Sequence, residues 1–151
     1  MSEKSRLISP TLEAVPRDEE AEKGKEDYDR FTSSIPGFKE KCYYHNMKED
    51  SSGMVQCALV NENLEGNGFG FYVKYKKEQL PRFIEWKMMG EGTYVVGMEP
   101  ANCLVDGRDK LRKEGTLEFL EAGEKKEFEL EIGVLSGKEA IDRFKAEVKA
   151  I

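Results

Sequence analysis

The side chains best placed to do chemistry in this 151-residue chain gather between Phe83 and Asn102. Glu99 closes an apolar run that begins at Thr93-Tyr94-Val95-Val96, and Pro100 follows it at once. A carboxylate is therefore expected at a strand end beside irregular backbone, where sites are commonly built. Held there, it suits the work of a general base. Trp86, the only tryptophan, offers a flat apolar face with a polar edge. Such a ring packs on the C–H face of a sugar while the sugar hydroxyls reach polar neighbours. By sequence those neighbours are Glu85, Lys87, Glu91 and Asn102. His45, the only histidine, ends a second apolar run and carries the side chain best suited to proton transfer near neutral pH. Each residue also has a plainer use: Trp86 as core, Glu99 as an acceptor of backbone N–H groups at a turn, His45 as a satisfied structural residue, and the others as solvated surface.

Other fragments point to less. Gly66-Asn67-Gly68-Phe69-Gly70 has the look of a phosphate loop, but a dinucleotide fingerprint needs a helix after it, and here a strand pattern follows. A hairpin turn is the better expectation. The three cysteines, Cys42, Cys57 and Cys103, have no paired spacing, so neither a metal site nor a disulfide framework is indicated. No metal and no cofactor are expected.

Thirty acidic against 24 basic residues give a net charge of −6 and a pI near 5.1. The basic residues alternate with acids, as in Glu124-Lys125-Lys126-Glu127. Phosphate neutralisation needs clustered Lys and Arg, so nucleic acid is not the expected partner. No apolar stretch approaches the roughly 18 residues of a membrane span, and the first residues are charged where a signal peptide is apolar. The expected location is the cytoplasm.

The elements that must position these residues are mostly strands. Residues 1–40 read as a charged, Pro-punctuated arm or connector, with little apolar surface to offset its ordering entropy. Residues 41–151 read as one β-sandwich domain. Cys42–His45, Met54–Asn61, Gly68–Tyr75, Phe83–Met88, Thr93–Met98, Leu117–Glu121 and Glu127–Leu135 are seven candidate strands divided by turn clusters. In the last, Phe128, Leu130, Ile132 and Val134 alternate with polar residues or Gly, the pattern of a half-buried antiparallel strand. Only Lys138–Ala150 reads as a full helix, with Ile141, Phe144, Val148 and Ile151 on one face. Asp106–Lys113 suggests a further short turn of helix. The fold class is mainly β, an antiparallel β-sandwich with one C-terminal helix.

Trp86-Lys87, Gly90-Glu91-Gly92-Thr93-Tyr94 and Gly97-Met98-Glu99-Pro100-Ala101-Asn102 together resemble the C-terminal half of the aldose 1-epimerase-like proteins of the galactose mutarotase-like superfamily, specifically a bacterial branch of undefined function. The resemblance extends over about residues 7–145, through Cys42-Tyr43-Tyr44-His45, Gly53–Asn61, Leu80-Pro81 and Gly115–Leu135. It implies part of a galactose mutarotase-like supersandwich that binds a small-molecule sugar without cofactor. Glu99 then matches the family's C-terminal-half base, with Trp86, Lys87, Glu91, Asn102 and His45 around the sugar. The family's catalytic His comes from an upstream His-x-Asn-Phe-Gly-like segment that this sequence lacks. The expectation is thus a fragment or truncated form of a mutarotase-like protein, with a non-catalytic carbohydrate-binding module or an interaction domain as the alternatives. Half a sandwich leaves apolar faces and unpaired edges, and a homodimer through an exposed sheet edge or face would cover them.

Overall fold

The computed structural model describes residues 2–151. Eight strands form two antiparallel sheets. In chain order they are β1 (Ser5–Ile8), β2 (Thr11–Pro16), β3 (Lys41–Met47), β4 (Met54–Asn61), β5 (Phe69–Lys76), β6 (Arg82–Gly90), β7 (Thr93–Ala101) and β8 (Leu130–Ser136). One sheet runs β1-β4-β5-β8 and the other β2-β3-β6-β7. The helices are α1 (Glu19–Glu22), α2 (Arg108–Lys113) and α3 (Lys138–Ala150).

The architecture is the expected antiparallel β-sandwich with a C-terminal helix. Met47 and Phe83 of one sheet pack against Val55, Cys57, Val73 and Tyr75 of the other. α3 covers the far side of the first sheet, where Ile141, Phe144 and Val148 bury against Ala58, Val60 and Leu135. The hairpin β6–β7 turns in two residues, Glu91 and Gly92. Gly92 adopts φ +76° there, at no steric cost for a glycine.

Three segments differ from the expectation. Residues 1–40, read as an arm or connector, carry β1 and β2, one outer strand of each sheet. They also bury Ala21 and Phe31 completely or nearly so. Strands of four and six residues need a neighbour's backbone more than an apolar pattern, so composition hides them. Leu117–Glu121 forms no strand, and Phe119 and Leu120 lie exposed in the connection between α2 and β8. In β8 the alternation is present but the buried face is the other one. Leu130, Ile132 and Val134 are 46, 61 and 59% exposed, whereas Leu135, out of phase with them, is buried under α3. The apolar row of β8 lies on the inward side of its sheet, beyond the cover of the second sheet.

Truncating Phe144 to Ala removes a large buried ring from the α3 contact and should destabilise the domain by about 3 to 5 kcal/mol in urea unfolding. A loss below about 1 kcal/mol would show that α3 packs loosely.

Candidate functional site

The register of β3, β6 and β7 decides which side chains meet. Residues opposite one another across an antiparallel pair share a face. Cys42 lies opposite Trp86 and Trp86 opposite Gly97, while Tyr44 lies opposite Ile84 and Ile84 opposite Glu99. These side chains occupy the face of the β2-β3-β6-β7 sheet turned away from the other sheet. The alternate rows, Lys41-Lys87-Val96, Tyr43-Glu85-Met98 and His45-Phe83-Pro100, face inward.

Glu99 and Trp86 share the outward face. They lie on adjacent strands as diagonal neighbours, Glu99 two residues beyond Gly97, the residue opposite Trp86. A Cβ at residue 97 would collide with a carboxylate oxygen of Glu99 and approach its Cδ to 3.0 Å. The bare backbone at Gly97, the residue opposite Trp86, is thus the floor on which the carboxylate lies. Burial alone pushes the Glu99 carboxyl above the usual carboxylate range, with no charged or hydrogen-bonding neighbour contributing. A carboxylate raised by desolvation and left without a partner is a base with its lone pairs free for a ligand.

Trp86 is oriented from outside the sheet. Its Nε1–H donates to Glu40 Oε2 at 2.8 Å, and Glu40 Oε1 accepts Arg17 Nη2 at 3.0 Å. The Arg17 Nε–H donates to Asp18 Oδ2 at 3.0 Å. Asp18 in turn caps α1 by accepting the Glu20 and Ala21 backbone N–H groups. The Trp86 and Arg17 donors hold the Glu40 carboxyl below its usual range. Beside Trp86, burial chiefly drives the Cys42 thiol up to about 11, so it stays protonated. Tyr44 Oη is buried without a hydrogen-bond partner, near the Asp106 carboxylate. Tyr44 also borders a depression of about 260 Å3 with Val15, Asn46, Arg82 and Leu104.

The other expected site residues lie elsewhere. Lys87 points inward, where its Nζ donates to the carbonyls of Asp27, Tyr28 and Arg30 at 2.7 to 2.8 Å. His45 is fully enclosed, with Nε2 3.2 Å from Glu85 Oε2 and Nδ1 3.0 Å from Thr11 Oγ1. When Nε2 donates to Glu85, Nδ1 of the neutral ring accepts the Thr11 hydroxyl. Neither Lys87, His45 nor Glu85 reaches the Trp86 face. Glu91 sits exposed in the β6–β7 turn, about 20 Å from Glu99 along the strand. Asn102 lies just past β7 and donates to Glu118 at 3.3 Å. Among the described residues no group of three His, Cys, Asp or Glu side chains is arranged to hold a metal.

Sequence reasoning did not find Glu40, Arg17, Tyr44 or the buried Glu85-Lys87 pair. For the pair a signal existed, because both share the odd-numbered phase of Phe83 and Met89, which are buried. Burial pushes the Glu85 carboxyl up, opposed by its His45 bond and the Lys87 charge, and pushes the Lys87 ammonium down.

A buried charge that loses its counter-charge costs about 3 to 5 kcal/mol, so Glu85→Ala should lower unfolding stability by that much. Glu85→Gln tests the pH dependence. A carboxyl raised above its unfolded value of 4.5 contributes stability that is complete below that pH and is lost as pH rises through the folded value. The thermal midpoint of wild type minus that of Glu85→Gln should fall as pH rises above 4.5. A flat difference would place Glu85 in an ordinary solvated setting. Gly97→Ala should displace the Glu99 carboxylate and return its titration toward the ordinary range by 13C NMR, with the fold retained; an unmoved titration would mean that Gly97 does not set its position.

Two resemblances to known proteins bear on the family and the fold. Residues 1–134 match a protein family described as a domain of unknown function, DUF4432. The whole chain superposes, at a TM-score of 0.92 and 21% identity, on 39% of a crystal structure from Klebsiella pneumoniae subsp. pneumoniae MGH 78578 described as that of a putative aldose 1-epimerase. The fold is therefore aldose 1-epimerase-like, and the chain spans well under half the length of that neighbour. No curated protein matches the chain.

Proposed function

The chain belongs to the DUF4432 family, and from its aldose 1-epimerase-like fold and its site geometry we propose that it is a carbohydrate-binding, aldose 1-epimerase-like domain that takes a free sugar on the outward face of the β2-β3-β6-β7 sheet. The observation that carries this reading is the unpartnered, partly buried Glu99 carboxylate lying over Gly97, the residue opposite Trp86 on the same face. The indole stacks on the C–H face of a pyranose. Glu99 accepts the proton of the C1 hydroxyl, the C1–ring oxygen bond breaks, and C1 becomes a carbonyl as the ring oxygen takes up a proton. Rotation about C1–C2 and attack of the ring hydroxyl on the other face of C1 return the opposite anomer, the hydroxyl releasing the proton it took up to the donor it came from while Glu99 gives its proton back to the C1 oxygen. No metal or cofactor enters the scheme.

One observation favours a second reading, a binding module without chemistry. No other titratable group perturbs Glu99, and the protonic groups that share its face, the Cys42 thiol and the Tyr44 hydroxyl, are both pushed above their usual values by burial, so the face pairs its base only with weak acids for protonating the ring oxygen. Lys87, Glu91, Asn102 and His45, expected around the sugar, take no part in either reading because of where they lie. Among the described residues no helix is long and apolar enough to cross a membrane; a cytoplasmic setting is part of the proposal. In the same reading a second copy covers the open sheet edge.

Glu99→Gln should retain the fold and saturation-transfer NMR contacts with aldoses while lowering polarimetric mutarotation by a factor of about 100 to 10,000, the usual cost of removing a general base. Full activity in Glu99→Gln would remove the catalytic assignment. Sugar binding with no mutarotation by wild type would establish the binding module.

A further inference from the structure

We propose that the free edge of β8 is a self-complementary interface that joins two copies of this chain in one continuous sheet, a proposal that deepens the self-pairing above and is independent of the sugar reading. β8 ends its sheet, so one side of its backbone lacks a strand partner. Exposed edges of this kind are normally blunted by proline, by inward charge or by a covering segment. β8 has none of these devices on its apolar row. Leu130, Ile132 and Val134 are exposed on the same face as Phe71, which is 42% exposed on the neighbouring strand. The patch thus runs along β8 and reaches β5 at Phe71, while Val73 and Tyr75, opposite Ile132 and Leu130, are buried in the core.

The sequence of β8, Leu-Glu-Ile-Gly-Val-Leu-Ser, fits its own copy in one antiparallel register. With a two-fold axis at Ile132, Ile132 meets Ile132, Leu130 of one copy meets Val134 of the other, and Glu131 meets Gly133. All six apolar side chains then lie in one row, and neither Glu131 opposes a like charge. Moving the axis to Glu131 sets the two carboxylates against each other, which is unfavourable directly across a pair. Moving it to Gly133 sets Leu130 against Ser136. A one-residue slip sends apolar side chains to opposite faces. A two-fold, isologous contact of this kind closes on itself and leaves no further β8 edge free.

Sedimentation velocity of the purified chain at tens of micromolar should give twice the 17.2 kDa protomer mass. Ile132→Lys should give a monomer with an unchanged far-UV circular dichroism spectrum. Val95→Lys, on the outward face of β7, should leave the dimer intact. The register itself is read by cross-linking in a Cys103→Ser background. Cα atoms directly opposite in an antiparallel pair are about 4.5 to 5.5 Å apart, within reach of a disulfide. Ile132→Cys should cross-link with itself under mild oxidation, whereas Leu130→Cys should do so only when mixed with Val134→Cys. A monomer at these concentrations, a dimer that survives Ile132→Lys, or cross-linking of Leu130→Cys alone overturns the proposal. So does a native polypeptide of greater mass that is monomeric and whose additional chain protects the β8 amides from hydrogen exchange.

Discussion

The interaction on which the rest of this structure depends is the burial of one ammonium group. Lys87 is 2% exposed, and its charge is met by three backbone carbonyls from Asp27, Tyr28 and Arg30, by the Phe31 ring 4.8 Å away, and by Glu85 in the next inward row. A charge taken out of water is tolerated only where every donor finds an acceptor. The three N–H directions of the ammonium therefore fix the course of residues 27–31 against the sheet. That segment belongs to the stretch whose composition resembles a free arm, and the lysine is what makes it part of the domain.

The consequence reaches the opposite face. Once residues 27–31 are pinned, the chain on either side of them runs along the sheet and brings Arg17 and Glu40 to the edge of Trp86. Inward and outward residues of β6 thus act together: Glu85 and Lys87 anchor the N-terminal stretch from within, and the stretch orients the indole between them from without. The same alternation keeps the two protonic groups apart. His45 shares its hydrogen bonds with Glu85 and Thr11 inside the sandwich, while Glu99 lies outside, so this chain does not pair its only imidazole with its desolvated base.

The legible parts of the sequence were those where local pattern and burial coincide. Met54–Asn61 and Lys138–Ala150 have the bounds of β4 and α3 because alternation or helical spacing runs to their ends and turn residues stop them. Glu99 and Trp86 could be placed on one face by counting along a strand and its hairpin partner. Lys87 was drawn into the site by its neighbour Trp86, although a period of two sends sequence neighbours to opposite faces, and His45 by the chemistry of its ring, although it lies in the inward row of β3. The Glu40 contact to Trp86 spans 46 positions, and β1 and β2 owe their form to partners in β4 and β3. Such long-range pairings leave no periodic trace. β8 is a different case: its pattern was read correctly, but whether an apolar face is covered depends on what lies across from it.

The central claim is that the outward face bearing Trp86 and Glu99 is where a sugar sits. A single tryptophan gives a single indole N–H cross-peak in a 1H–15N spectrum, held in place by Glu40 and free of overlap. Titration with common aldoses should shift that peak in a saturable manner for at least one of them, while the enclosed His45 ring signals stay fixed. An aldose that binds and leaves the indole signal unmoved, or moves the His45 signals instead, would contradict the account.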